Sequence, residues 1–389
     1  MKKLIYFALL SIILFLFEFC LKNDHHKDDF KKAIIAYYLL SQSSCTPSQM
    51  GGSKQGCSLN LTGAVTTLAG TAGTSGATDG TGTAAQFFEP SGITTDGTNL
   101  YVADRYNDTI RKITISTGVV TTLVGTVGIR GATDGTGTAA QFNLPEGITT
   151  DGTNLYVADS WNYTIRKVVI SSGAVTTLAG TVGTGGSVDG TGTAAQFNLP
   201  YGITTDGTNL YVTDLFSNTI RKVEISTGVV TTLAGTAGIR GSTDGTGTAA
   251  QFDYPSGITT DGTNLYVADY YNCTIRKVVI SSGVVTTLVG TVGTCGSTDG
   301  TGTAAQFNFP ESVTTDGINL YVTDYYGYTI RKIEVTSGIV TTLAGKAGKL
   351  GTTDGTGTIA RFNSPYGITT NGTNLYVTDY FSHTIRQIK

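Results

Sequence analysis

Residues 96–112 read DGTNLYVADRYNDTIRK, and residues 151–167 read DGTNLYVADSWNYTIRK. Only the tetrapeptide between Ala-Asp and Thr-Ile-Arg-Lys differs. Asp96, Asp151, Asp206, Asp261 and Asp316 are 55 residues apart, with Asn371 in the sixth place. Asp104, Asp159, Asp214, Asp269, Asp324 and Asp379 keep the same spacing. A fixed period with no insertion or deletion is the mark of a repeat architecture.

Each unit reads as four strands. In the first they are GITTD (92–96), NLYVAD (99–104), TIRKITI (109–115) and GVVTTLVG (118–125). The runs are β-branched or aromatic, and Gly, Asp, Asn or Ser fills the breaks. A lone four-stranded meander cannot cover both of its apolar faces, so neighbours must stack. Six such sheets around an axis predict an all-β fold, a six-bladed β-propeller of four-stranded antiparallel blades. The last unit stops at TIRQIK (384–389) without a fourth strand, whereas TGAVTTLAG (62–70) is a fourth strand without its first three. Residues 64–69 are therefore expected to complete the last blade and close the ring.

Composition agrees. Fifty-two glycines and abundant Thr favour strands and turns over long helices. The net charge of −3 lacks the basic footprint of a nucleic-acid binder, so no nucleic-acid partner is expected.

The recurring P-x-GI-x-x-D…NLYVAD…TIRK…G-x-VTTLAG, with DGTGTAAQF at 79–87 and again at 134–142, 189–197, 244–252 and 299–307, resembles the NHL-repeat propellers. The resemblance spans residues 62–389 and implies the propeller fold. It implies no single function, because that family includes enzymes, scaffolds and RNA binders.

The first twenty residues resemble a bacterial, spirochaete-like lipoprotein signal. MKK is the basic n-region, an apolar stretch follows, and Cys20 precedes the polar KNDHHKDDFKK. Cys20 is the expected lipidation site, which implies a membrane partner through the lipid and an outer-membrane or cell-surface location. Residues 21–61 are expected to be a tether, with a short amphipathic helix at 28–42. Four cysteines remain: Cys45, Cys57, Cys273 and Cys295. In an oxidising compartment two local pairs are expected, Cys45–Cys57 and Cys273–Cys295.

No catalytic constellation stands out. Three histidines, two of them before the repeats, do not furnish a set of imidazole ligands. No cofactor and no metal is expected. Asp79 and its copies offer one carboxylate per Gly-rich loop, too few for calcium. TAAQ (83–86) instead matches a capping box, with Thr83 as N-cap, Gln86 reaching back and Phe87 plugging the core. The six TIRK arginines, Arg111 among them, are expected in local hydrogen bonds or an exposed ladder.

The variable positions remain. The tetrapeptides are RYND (105–108), SWNY (160–163), LFSN (215–218), YYNC (270–273), YYGY (325–328) and YFSH (380–383). The residues after each proline are Ser91, Glu146, Tyr201, Ser256, Glu311 and Tyr366. Both sets are expected around one mouth of the ring. Tyr106, Trp161, Phe216, Tyr271, Tyr326 and Phe381 hold an aromatic position in every unit, which favours packing plugs between blades. Tyr163, Tyr270, Tyr325, Tyr328 and Tyr380, with Arg105, Glu146, Tyr201, Glu311 and Tyr366, have the composition of an interaction surface. All sixteen are candidates for a binding face whose partner is a protein, with a glycan as the alternative and a lactonase- or lyase-like enzyme behind it.

Overall fold

The computed structural model describes residues 58–389. Six antiparallel sheets stand around an axis. In blade one the strands are Pro90–Thr95, Asn99–Asp104, Thr109–Thr114 and Val119–Val124, from the axis outward. A fifth, two-residue strand, Gly80–Thr81, pairs outside the fourth. Blades of five strands correct the expected four. The extra strand is the DGT stretch of the connection, which lies along the rim before entering its blade. Blade six is closed from the other end of the chain: Ala64–Ala69 pairs with Thr384–Ile388. The Thr62 N–H donates to the Lys389 carbonyl at 2.8 Å, locking the two segments.

The blades are sandwiched between neighbours, so both faces of each sheet are apolar. Leu100, Tyr101, Val102 and Ala103 are all fully buried although successive side chains point opposite ways. One core cluster joins Tyr101, Ile110 and Val124 of blade one to Leu155, Val157 and Val168 of blade two. Phe142 from the connection fills the space between them. The expected plug of Phe87 holds, since it and its five copies are fully buried. The capping box does not. The short 3-10 helix is Gly82–Ala84, its N-cap is Thr81, and no side chain caps it. Gln86 instead accepts a hydrogen bond from the Thr78 hydroxyl at 2.9 Å.

The TIRK arginines are wholly buried, which overturns the exposed ladder. Arg111 donates to Asp104 at 2.7 Å and to Asp79 at 2.7 Å, and also to the Gln86 and Thr78 carbonyls. Its guanidinium lies 5.1 Å from the Phe87 ring centre. Asp79 accepts further from the Thr122 backbone and hydroxyl. That carboxylate is thus occupied in tying the connection to the blade.

At the axis the inner strands come very close. A methyl on Gly257 would sit 2.5 Å from Ser312 Cα and 2.7 Å from the Glu311 carbonyl. Gly92, Gly147, Gly202 and Gly367 meet the next blade's backbone in the same way. Each junction also carries one buried hydroxyl reaching a carbonyl of the next blade, yet it comes from three different positions. Ser91 and Ser256 supply it from the inner strand of blades one and four. Thr213, Thr323 and Thr378 supply it from the second strand of blades three, five and six. In blade two Ser160 reaches the Pro200 carbonyl at 2.6 Å. Where the second strand has Ala at this position, a serine nearby takes the task.

Gly147→Ala is therefore expected to lower stability by about 1–3 kcal/mol through overpacking at the axis. Urea unfolding followed by circular dichroism checks this, and an unchanged midpoint would count against tight closure.

Candidate functional site

The inner strand begins, and the second strand ends, at the same end of the barrel. The Tyr106 N–H donates to the Phe88 carbonyl at 3.2 Å, and the Gly128 N–H to the Asn107 carbonyl at 3.0 Å. The variable tetrapeptide, the pre-proline residue and the start of the inter-blade connection thus share one face, as the sequence implies. The backbone there is strained. Glu89, Leu144, Leu199, Tyr254, Phe309 and Ser364, each before a proline, have φ of 49–66°. The fourth tetrapeptide residues Asp108, Tyr163, Asn218, Cys273, Tyr328 and His383 have φ of 56–60°. Left-handed φ is uncommon for residues other than Gly, above all bulky ones, and such strain gathers at functional surfaces.

The second tetrapeptide residue is not an inter-blade plug. Trp161, Phe216, Tyr271, Tyr326 and Phe381 are 43–48% exposed, and Tyr106 is half-buried. The plugs are Phe87 and its copies. Conversely Tyr325 and Tyr380, expected on the rim, are buried, and so are Glu146 and Glu311. Tyr163, Tyr270 and Tyr328 are half-buried.

Rings link into one arc. Phe216, Tyr254, Tyr271, Phe309, Tyr326, Tyr325, Tyr366, Tyr380 and Phe381 follow one another at centroid separations of 4.7–6.0 Å. The arc covers blades three to six. Tyr254 and Phe309 were not singled out in the sequence, although both occupy the pre-proline slot where other blades carry Glu, Leu or Ser. Cys273 and Cys295 are disulfide-bonded at the edge of this arc. In blade one the corresponding pair is an ion pair, Asp108 with Arg130 at 3.5 Å. Cys20, Cys45 and Cys57, and the helix expected at 28–42, lie outside the described residues.

Inside the arc, the post-proline residues form a polar knot on the axis. The hydroxyls of Tyr201 and Tyr366 touch each other from opposite blades. Tyr201 donates to Glu311 at 2.8 Å, and Tyr366 donates to Glu146 at 3.0 Å. Arg105 pairs with Glu146 through Nε and donates from Nη1 to the Tyr380 hydroxyl at 2.9 Å. Below the knot runs the axial cavity, ≈ 100 Å³, lined by the Gly-Ile-Thr segments of five inner strands and by Ser312, Val313 and Thr314 of the other. Burial raises both carboxyls; Arg105 opposes it at Glu146, whereas Glu311 is pushed up to about 8. Among the described residues no group of three or more His, Cys, Asp or Glu side chains is placed to hold a metal ion.

No family model matches the chain. Its homologues include NHL-repeat proteins. It is 28% identical over 291 residues to human NHL repeat-containing protein 2, across 66% of this chain and 40% of that protein. It is 30% identical over 284 residues to the Arabidopsis thaliana chloroplastic protein SUPPRESSOR OF QUENCHING 1, across 68% of this chain and 27% of that one. The chain thus spans well under half the length of these curated relatives. A solved auxiliary nutrient binding protein from Bacteroides thetaiotaomicron superposes with a TM-score of 0.64 at 18% identity, over 84% of this chain and 76% of its own. That likeness establishes the fold alone.

The knot has a pH signature. Glu311 has an ordinary value of 4.5 and a folded one of about 8. Its proton's contribution to stability is complete below about pH 4.5 and gone once the pH has risen through about 8. The Asp104-type carboxyls, raised by burial to about 6, titrate lower in the same direction. Between pH 6 and 8, wild-type stability is expected to fall relative to Glu311→Gln. Denaturation midpoints of the two proteins at pH 6, 7 and 8 check this; parallel curves would refute it.

Proposed function

We propose that this protein is an exported, lipid-anchored propeller that binds another protein through its aromatic face. The observation that carries the reading is the asymmetry of that face. The scaffold repeats almost letter for letter, yet the rings form one continuous arc over blades three to six. Six equivalent ligand sites would repeat with the blades; a single extended arc matches one large partner. Half-exposed Trp, Tyr and Phe over a rigid, buried polar centre have the make-up of interface anchors. Strained backbone at twelve non-glycine positions, all on this face, is the kind retained where function requires it. The binding role in the name of the Bacteroides neighbour is in keeping with this reading.

The anchor is Cys20, and the location is the outer membrane or cell surface. The Leu59 N–H donates to Asp316 at 2.9 Å, and Asn319 donates to the Ser58 hydroxyl at 3.1 Å. Both partners belong to the Asp-Gly turn of blade five, at the end of the barrel opposite the arc. Residues 58 and 59 thus meet the propeller at the end away from the aromatic face.

Trp161, Tyr271 and Phe381 are exposed enough to be changed without opening the core. A triple variant, Trp161→Ser with Tyr271→Ser and Phe381→Ser, is expected to fold normally by circular dichroism and to lose partner capture by more than about tenfold, since single anchors contribute about 2 kcal/mol or more. Pull-downs from envelope extract with wild type and variant, beside a glycan array, make the test. Equal capture would remove this face from consideration, and a glycan signal lost in the variant would replace the protein partner with a sugar.

A further inference from the structure

The ring is a three-blade unit written twice. Ser91, Glu146 and Tyr201 recur as Ser256, Glu311 and Tyr366. The polar knot keeps this two-fold relation: each tyrosine donates to the glutamate of the other half, and the two hydroxyls meet on the axis. One contact breaks it. In the first half Arg105 pairs with Glu146 and lies 4.7 Å from the Tyr106 ring centre. In the second half the place of Arg105 is taken by Tyr270. Glu146 and Glu311 are equally enclosed, at 3% and 4% exposure. Glu146 has a counter-ion; Glu311 has one tyrosine hydroxyl and none.

A buried carboxyl without a counter-ion keeps its proton. Burial and, to a lesser degree, the charge of Glu146 hold Glu311 near 8. The titratable and charged groups around it are Glu146, Arg105 and the phenols of Tyr201, Tyr366, Tyr270 and Tyr325. The phenols, raised by burial and by nearby carboxylate charge, stay neutral, so the one cation in this set is Arg105, which is already paired with Glu146. What surrounds Glu311 is aromatic: Tyr270 lies 5.0 Å from Phe309, and the counterpart of Tyr106 is the exposed Tyr271.

We propose that Glu311 is the receptor for a guanidinium group, an arginine side chain carried by the bound partner. It enters beside Tyr270 and Tyr271 and pairs with the Glu311 carboxylate as Arg105 pairs with Glu146, while the carboxyl proton leaves to solvent. The planar guanidinium stacks on rings and bridges a carboxylate, which a lysine ammonium does less well. The site deepens the docking reading by naming the partner's anchor; it rests on Glu311 and Tyr270, which the serine variant leaves in place, and shares only Tyr271 with the exposed rings.

The probe is Nα-acetyl-arginine amide, with the neutral Nα-acetyl-citrulline amide as control, followed by NMR of the tyrosine rings. The arginine amide is expected to bind saturably, and about tenfold more tightly for each pH unit gained below the Glu311 value, because one proton is released. The citrulline amide is expected not to bind. Glu311→Gln is expected to abolish binding, and Tyr270→Arg, which restores the guanidinium in cis, to block it. Equal binding of both amides, or unchanged binding by either variant, would overturn the proposal. Such a failure would leave the aromatic face standing, because the serine variant tests that face separately.

Discussion

The buried guanidinium on the third strand of every blade is the interaction on which the rest depends. Arg111 binds the second strand through Asp104 and the incoming connection through Asp79, Thr78 and Gln86. One side chain thereby fixes where the connection crosses the blade, and the crossing places Phe87 between sheets. Its Nε finds no acceptor, so the Phe87 ring and the two carboxylates provide what compensation there is. Removing a single partner of such a group leaves a stranded charge, which disfavours drift at these positions. The repeated TIRK is thus explained by the burial of its arginine.

Much of the fold was legible because period and polarity agree. The Asp-Gly turns appear where strands break, and the orphan strand 64–69 complements a unit that lacks its fourth. Asn371 serves where the others have Asp, since an amide oxygen also accepts the Thr373 and Asn374 N–H groups. The fifth strand was hidden because Gly80–Thr81 has neither length nor apolar pattern; it is held by neighbours, not by propensity. The arginines' local hydrogen bonds were legible, but their burial was missed for a related reason. Their partners lie 7 and 32 residues away, and strand alternation says nothing of the connection that folds over them.

The site was half legible. Variation against a constant background marked the right loops, and the topology of a meander put them on one face. Which rings are exposed was not in the sequence. An aromatic at every second tetrapeptide position looks like a core requirement, yet Phe87 and its copies already fill that space. The knot was also out of reach as a knot. Glu146, Tyr201, Glu311 and Tyr366 are up to 220 residues apart and meet only because inner strands converge on an axis.

The seam between Ala64–Ala69 and Thr384–Ile388 has a consequence for biogenesis. The sixth sheet joins residues more than 300 apart, so it cannot assemble while Thr384–Ile388 is still within the ribosome. Blades one to five have their own strands in order and can form as they emerge. The circle as a whole must wait for Thr384–Ile388 to emerge, and until then the first and sixth sheets leave flanks without a neighbour.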